Sequence, residues 1–267
     1  MITNLQNPGI KNIVKLQQKS SERKKQKAFV IEGKRELSIA RTCGIDIFET
    51  YICKDIYEDD PSYPIETKGH NIISVSINVY NKIAYRKDAE GIIGVARLKE
   101  KNLSDITLSS LPLILILENV EKPGNLGAIV RTADAAGVDA VILCNLKTDL
   151  FNPNVIRSSL GCVFSNQVVI CKNEEATDWL TNNDISIYAA TPGSTIFYYD
   201  VDYNKPSAIV LGSEAEGLSK QWLKASANSI NIPMYGIIDS LNVSVSSAIV
   251  VYEAIRQKNT ISKYKLS

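Results

Sequence analysis

The chain is poor in histidine, and its cysteines follow no spacing typical of a metal site or a disulfide framework. Its 267 residues include one histidine, His70, and five cysteines without a CxxC pair. The part after residue 110 therefore has no histidine for a Ser-His-Asp triad or for a histidine-based metal site. An odd cysteine count argues against a disulfide framework, so we expect no metal and a reducing, cytoplasmic location.

An excess of charge and long apolar runs are absent as well. Lys and Arg number 30 against 29 for Asp and Glu, so any binding to nucleic acid needs a local cluster of charge. No apolar run has the length of a membrane span and the amino terminus lacks a signal-peptide pattern, which predicts no membrane partner. Apolar residues form 45% of the chain, enough for a full core in one large or two ordinary domains.

Residues 111–143, LPLILILENVEKPGNLGAIVRTADAAGVDAVIL, are the stretch around which the chain is organised. The opening apolar run is typical of a strand buried on both faces of a parallel sheet. A turn leads into a helix that ends at Gly137, and a second strand begins at Ala140, which makes a βαβ unit. Asn125 lies at the start of this helix and Arg131 points away from its apolar face. Taken singly, these two residues would be a helix cap and a solvated charge.

Two more polar turns with glycine follow apolar strands downstream. In 209–218, IVLGSEAEGL, Gly212 allows a ligand to approach the backbone closely and Glu214 projects from the loop. In 232–248, IPMYGIIDSLNVSVSSA, we expect Ser240 at the cap position of a helix and Asn242 in its first turn. Because open α/β sheets bind ligands at the carboxyl ends of their strands, the three turns together predict one site.

The first part of the chain differs from the rest in its short elements and its basic end. Residues 1–96 predict a compact α/β module of the size of a binding module, and 97–110 a linker that is first charged and then rich in Ser and Thr. Residues 111–267 predict a mostly parallel sheet with helices on both faces. Near the amino terminus, basic residues recur every four positions, which predicts a positive stripe along a helix that contacts phosphates.

The three polar stretches, taken together, resemble the SpoU-type (TrmH family) RNA 2′-O-ribose methyltransferases of the SPOUT superfamily. The residues that carry this likeness are NVEKPGNLGAIVRTADAAGVDAVIL, IVLGSEAEGL and NIPMYGIIDSLNVSVSSAIVVYEAIR, within about residues 111–256. TNLQNPGIKNIVKLQQKSSERKKQKAFVIEGKREL resembles the small, ribosomal-protein-like substrate-binding domain that often precedes the catalytic domain. The resemblance implies a deep trefoil knot in the carboxyl-terminal part of the α/β domain, S-adenosylmethionine held in that knot, a homodimer and an RNA substrate.

The resemblance also assigns roles to residues by their position. The polar active-site positions fall on Asn125, Arg131, Glu214, Ser240 and Asn242. The S-adenosylmethionine pocket falls on Leu211, Gly212, Ile232, Met234, Leu241 and Ser246. The RNA-binding residues of the amino-terminal module are predicted to be Lys11, Lys15, Lys19, Arg23 and Lys24.

Arg131 is expected to bind the target phosphate and to hold the ribose, because a guanidinium does not deprotonate in proteins and is a poor base by itself. Either that phosphate or the surroundings of Arg131 would then accept the proton of the ribose hydroxyl. The remaining polar residues would orient Arg131 and the ribose, while Glu214 would fix its loop or pair with Arg131.

Alternatives of different classes stay open at this point. The separate binding domain favours ribosomal RNA over transfer RNA, by analogy. Methylation of a base nitrogen, and an RNA-binding protein that keeps the fold without turnover, are the main rivals. A nicotinamide dinucleotide enzyme has little support, because no GxGxxG follows Leu117.

Overall fold

The computed structural model describes residues 1–64, 71–86, 88–213 and 215–264, the last range with side chains as far as residue 258. The chain forms two compact units. Unit 1 comprises Met1–Lys99 and Asp149–Ser165, and unit 2 comprises Glu100–Thr148 and Asn166–Ser267.

Helices and strands alternate along most of the chain. The helices are α1 (Pro8–Gln18), α2 (Ser20–Gln26), α3 (Lys34–Thr42), α4 (Ile77–Ile83), α5 (Pro123–Ala136), α6 (Pro153–Ser158), α7 (Cys162–Ser165), α8 (Asn173–Asn182), α9 (Lys220–Ala225) and α10 (Val243–Tyr264). The strands are β1 (Ala28–Glu32), β2 (Ile47–Ile52), β3 (Asn71–Ser74), β4 (Ile92–Arg97), β5 (Leu113–Glu118), β6 (Ala140–Cys144), β7 (Val168–Cys171), β8 (Ser186–Ala190), β9 (Ser207–Leu211) and β10 (Asn228–Ile230).

Unit 1 is a four-stranded sheet of order β1-β4-β2-β3 with helices packed on it. β4 runs antiparallel to both β1 and β2, and β3 runs parallel to β2. The short helices α6 and α7 pack in this unit, against β1 and α3. Residues 149–165 therefore belong to unit 1, because their apolar side chains pack in the core of that unit. The sequence had predicted them to lie in the second domain. The rings of Phe151 and Phe164 both pack against Phe29 of β1, with centroids 4.5 and 5.8 Å from its ring.

The basic amino-terminal stretch forms two helices, not the single helix that the four-residue spacing predicts. The backbone of Lys19 is extended, with φ −121° and ψ 114°, and it separates α1 from α2. Ile10, Ile13 and Leu16 bury one face of α1. Since the helix axis changes at Lys19, the regular spacing does not continue as one straight stripe.

Unit 2 is built on a six-stranded sheet of order β10-β8-β9-β5-β6-β7, in which every neighbouring pair is parallel. The predicted mostly parallel sheet is confirmed. All six residues of β5 are buried, as the apolar run at its start indicates. The chain goes from β5 outward through β6 and β7, then crosses to β8 and β9 on the other side. The strand order thus reverses between β5 and β9, where sheets of this kind bind ligands.

The predicted linker is largely structured. Residues 103–105 form a 3-10 turn, and Leu103, Ile106 and Leu108 pack against the core of unit 2. The backbone of Thr107 exchanges hydrogen bonds with the Gln167 side chain, at 2.9 and 2.8 Å. Most of 97–110 therefore belongs to unit 2, because its apolar residues have a core to cover.

The last helix, α10, packs against α5 and β9. Near its end, the Lys258 ammonium donates to the backbone oxygens of Leu111 (3.2 Å) and Lys205 (3.0 Å). Partial burial lowers the pKa of Lys258. Across the part of the chain that the structure describes, every helix is too short or too polar to span a membrane.

Candidate active site

A cavity of about 390 Å³ lies in unit 2, beyond the carboxyl ends of β8, β9 and β10. This volume is within the range of small-molecule sites. The cavity is lined by every residue that the sequence assigned to the S-adenosylmethionine pocket. These residues are Leu211, Gly212, Ile232, Met234, Leu241 and Ser246. Two of the three predicted turns, those after β9 and β10, therefore meet around one space.

The turn after β9, residues 212–219, forms one wall of the cavity, and we name it the cofactor loop. Gly217 has φ +66°, and its N–H donates to the backbone oxygen of Ser213 at 3.0 Å. A Cβ placed on Gly212 would lie 2.1 Å from the Gly217 oxygen. A glycine is therefore needed at position 212 because the loop folds back onto this residue. From the sequence, we had explained this glycine by the close approach of a ligand.

Glu214, a predicted active-site residue in this loop, lies outside the described residues. Its neighbour Glu216 lines the cavity and lies 3.5 Å from the ammonium of Lys147, which also bonds Glu121 at 2.9 Å. The hydrogen bond with Glu121 raises the pKa of Lys147. Lys147 thus connects the cofactor loop to the turn that leads into α5, although all three side chains are exposed and the contribution to stability is small.

The turn before α10 places its polar residues differently from the expectation. Asn242 is the residue that caps α10, because its side-chain oxygen accepts from the Ser244 backbone N–H at 2.9 Å. Ser240 was expected to cap that helix, and this prediction is wrong. Its side chain instead lines the cavity and donates to the Asp239 carboxylate at 3.2 Å.

A hydrogen bond joins the first and third polar stretches. The Asn242 side-chain nitrogen donates to the side-chain oxygen of Asn125, in the first turn of α5, at 3.3 Å. The two stretches are 117 positions apart in the sequence, so only the packing of α10 on α5 brings these amides together.

Arg131 lies further along α5, six residues after Asn125, which corresponds to about 9 Å of helix rise. Its side chain is exposed. It forms no hydrogen bond or ion pair with any residue that the structure describes, so the structure does not join it to Asn125, Ser240 or Asn242.

Several cavity residues were not anticipated. Ala190 is the last residue of β8, Thr191 and Pro192 follow it, and Asn231 follows β10. In the sequence analysis, no site was assigned to the end of β8. The rule that ligands lie at the carboxyl ends of parallel strands, applied to β8 as well, would have identified them.

The predicted RNA-binding residues of unit 1 divide into two groups. Lys11, Lys15, Lys19 and Lys24 are exposed. Arg23 is 2% exposed, and it bonds the Asp149 carboxylate at 2.6 Å and the backbone oxygens of Leu16 and Gln17. Arg23 is thus not free to contact phosphates, and this assignment is corrected: three acceptors and the helix break turn its side chain inward.

Comparison with known proteins agrees with this geometry. The profile of the SpoU rRNA Methylase family matches residues 112–252, and that of the MRM3-like substrate binding domain matches residues 7–94. The chain is 28% identical over 253 residues to the 23S rRNA (guanosine(2553)-2′-O)-methyltransferase RlmP of Bacillus subtilis, covering 94% of this chain and 97% of that protein.

Solved structures give the same result. A crystal structure of an RNA 2′-O ribose methyltransferase is 37% identical with a TM-score of 0.85, covering 97% of this chain and 99% of that one. The AdoMet-bound rRNA methyltransferase from Sinorhizobium meliloti is 27% identical with a TM-score of 0.86, covering 96% and 97%. The match of the family profile to more than half of the chain, with the cavity in the same residues, shows that the chain belongs to the SpoU rRNA methylase family.

Proposed function

We propose that this protein methylates the ribose 2′-hydroxyl of a nucleotide in ribosomal RNA. As a SpoU family member it is an S-adenosylmethionine-dependent RNA 2′-O-ribose methyltransferase, as the sequence predicted. The observation that carries the proposal is the convergence of all six predicted cofactor residues on one cavity. That the substrate is ribosomal RNA and not transfer RNA is a separate part of the proposal, argued below.

The residues around the cavity suit S-adenosylmethionine. Ile232, Met234 and Leu241 supply apolar surface for an adenosine ring, and the loop at Gly212 supplies backbone polar groups. The bound cofactor would supply a methyl group that is already electrophilic, because it is attached to a sulfonium. The protein then has to align the ribose oxygen with that methyl and assist removal of its proton. Alignment of this kind can contribute about 7–11 kcal/mol.

The polar residues beside the cavity would carry out the alignment. Arg131, exposed and without a described partner, would bind the phosphate of the target nucleotide and hold the ribose in place. The Asn125–Asn242 pair would fix the angle between α5 and α10. This angle sets the position of Arg131, on α5, relative to the cofactor cavity beside the start of α10. The proton of the 2′-hydroxyl would pass to that phosphate or to a group near Arg131, and Glu214 would fix its loop or pair with Arg131.

Ribosomal RNA is favoured because the Bacillus subtilis relative cited above, which matches 94% of this chain, is named for 23S rRNA. The substrate-binding domain matched at residues 7–94 would select the RNA, with the exposed lysines of α1 and α2 and Lys19 between them contacting its phosphates. We place the reaction in the cytoplasm, where ribosomal RNA would be available to it.

A homodimer is the second part of the proposal. Tyr235, Ile237 and Ile238 are strongly exposed in the turn before α10, and Tyr252 is half-exposed on α10 itself. Apolar side chains grouped beside a cavity are typical of a surface that another chain covers. Sedimentation should give twice the chain mass, and Ile237→Asp with Ile238→Asp should shift it to the monomer mass. A monomeric wild-type chain would contradict the dimer.

The trefoil knot is supported by the path of the last segment. The backbone of Asn231 pairs with residues 196–198 of the β8–β9 connection, and Gln257 of α10 bonds the backbone of Val201 and Tyr203 in the same connection. The final segment thus contacts this connection near its start and near its end, which supports the knot that we propose there.

Deleting the gene in its host and mapping 2′-O-methyl groups across stable RNA tests the function. We expect one or a few lost methyl groups in ribosomal RNA, which the purified protein restores in the presence of S-adenosylmethionine. Loss in transfer RNA would correct the substrate. A methyl group found on a base nitrogen, or no transfer to any cellular RNA, would contradict the proposal.

A further inference from the structure

Glu118 is a carboxylate buried at the end of the central strand β5. It is 1% exposed. A buried ionised carboxylate is costly unless donors surround it. Two donors do so: the Ser219 backbone N–H lies 2.7 Å from one oxygen, and the Asn173 side-chain nitrogen lies 2.5 Å from the other. Glu118 therefore joins β5 to the residue before α9 and to the first residue of α8.

Ser219 is the last residue of the cofactor loop. The loop begins at Gly212, directly after β9, and returns at Gly217, whose backbone rests against Gly212. Ser219 follows two residues later. Among the loop residues that the structure describes, those that line the cavity are Gly212, Ser213, Ala215, Glu216 and Gly217. Fixing the Ser219 amide therefore fixes the returning half of the wall that these residues form.

We propose that Glu118 is a positioning residue for S-adenosylmethionine: by holding the Ser219 amide, its carboxylate sets the cofactor loop before the cofactor binds. Glu118 does not line the cavity and acts through the loop. A charged acceptor makes a stronger hydrogen bond than a neutral one, and a loop that is already ordered loses less conformational freedom on binding. The inference rests on the proposed function only in taking S-adenosylmethionine as the ligand of this cavity.

A purely structural role is the alternative, and unit 1 contains a suitable control. Glu32 is 8% exposed and is the last residue of β1. Its carboxylate accepts from the backbone N–H groups of Tyr85 (2.8 Å) and Arg86 (3.2 Å). Glu32→Gln thus disturbs a similar buried carboxylate in the other unit.

The test measures S-adenosylmethionine binding by calorimetry, and thermal unfolding, on the full chain of wild type, Glu118→Gln and Glu32→Gln. We expect Glu118→Gln to bind about tenfold more weakly, since a neutral amide oxygen makes a weaker hydrogen bond to the Ser219 N–H than a carboxylate does. The KM for S-adenosylmethionine should rise by the same factor, while kcat at saturating cofactor and the KM for RNA stay within about twofold. Glu32→Gln should bind as the wild type does. Wild-type affinity in Glu118→Gln, or an equal loss in both variants, would overturn the inference.

A second pair of variants decides the matter even if Glu118→Gln does not fold. Ser219 has φ −65°, the value that proline imposes, so Ser219→Pro removes the N–H donor without changing this angle. Ser219→Ala keeps that donor and loses the hydroxyl. We expect Ser219→Pro to bind S-adenosylmethionine about tenfold more weakly than Ser219→Ala. Equal affinities would overturn the inference while leaving the proposed function intact; a wild-type chain that does not bind S-adenosylmethionine would instead contradict the proposed function itself.

Discussion

The two units place their functional groups in different ways. In unit 2, the candidate site is made by turns at the carboxyl ends of parallel strands. Because these strands are neighbours in the sheet, the residues of their turns line one cavity. In unit 1, the predicted site is a set of charges on two helices, and one of them, Arg23, points into the interior. The positions of turn residues at strand ends can thus be predicted from a sequence motif. The spacing of basic residues along a helix does not tell which of their side chains is buried.

The largest effect is expected at Arg131, which would show that unit 2 carries the chemistry. Arg131→Ala should lower the rate of methyl transfer by at least about 10³-fold, because the group that aligns phosphate and ribose is lost. S-adenosylmethionine affinity should stay near that of the wild type, since Arg131 does not line the cavity. Single-turnover kinetics and calorimetry measure the two quantities. A parallel loss of cofactor affinity would remove Arg131 from the catalytic role.

Arg23 tests whether unit 1 uses this charge for folding. Arg23→Ala leaves Asp149 and two backbone oxygens without their donor, so the free energy of unfolding should fall by about 3 kcal/mol. Lys19→Ala, at an exposed position, should change it by less than about 0.5 kcal/mol. Urea unfolding followed by fluorescence compares the two. Equal stabilities would restore Arg23 as a candidate for RNA contact.

Gly212 tests the backbone character of the site in unit 2. The added methyl of Gly212→Ala would meet the Gly217 backbone at 2.1 Å, so the cofactor loop has to move and S-adenosylmethionine should bind about 30-fold more weakly. Gly193→Ala is the control, because its Cβ has nothing within 4 Å. Calorimetry on both variants gives the comparison; equal affinities would mean that the loop yields without cost.

The smallest effect is expected from the exposed lysines of unit 1. Replacing Lys11, Lys15, Lys19 and Lys24 by alanine should reduce the slope of log affinity for RNA against log salt by about 3, since each phosphate contact contributes about 0.7–0.9. Stability and S-adenosylmethionine affinity should not change. Filter binding over a range of salt measures the slope. An unchanged slope would mean that the RNA contacts unit 1 elsewhere or not at all.

The sequence predicted the βαβ unit and the parallel sheet of unit 2 closely, because their apolar patterns were clear. The strand at β5, the left-handed end of α5 at Gly137 and the parallel sheet all follow from local pattern. The sequence did not predict that the short helices α6 and α7 belong to unit 1. Which core a helix packs in depends on residues far away in the sequence, such as Phe29.

For the site, the sequence by itself determined which residue types stand at the ends of the strands, and the resemblance of these turns to a known family assigned six of them to the cofactor pocket. Only the tertiary structure decided that Asn242 meets Asn125, that Glu118 holds the cofactor loop and that Arg23 is buried. The physical reason is one of range. Strand ends and turns are set by neighbouring residues, whereas hydrogen bonds across 117 or 101 positions exist only after the helices and strands have packed.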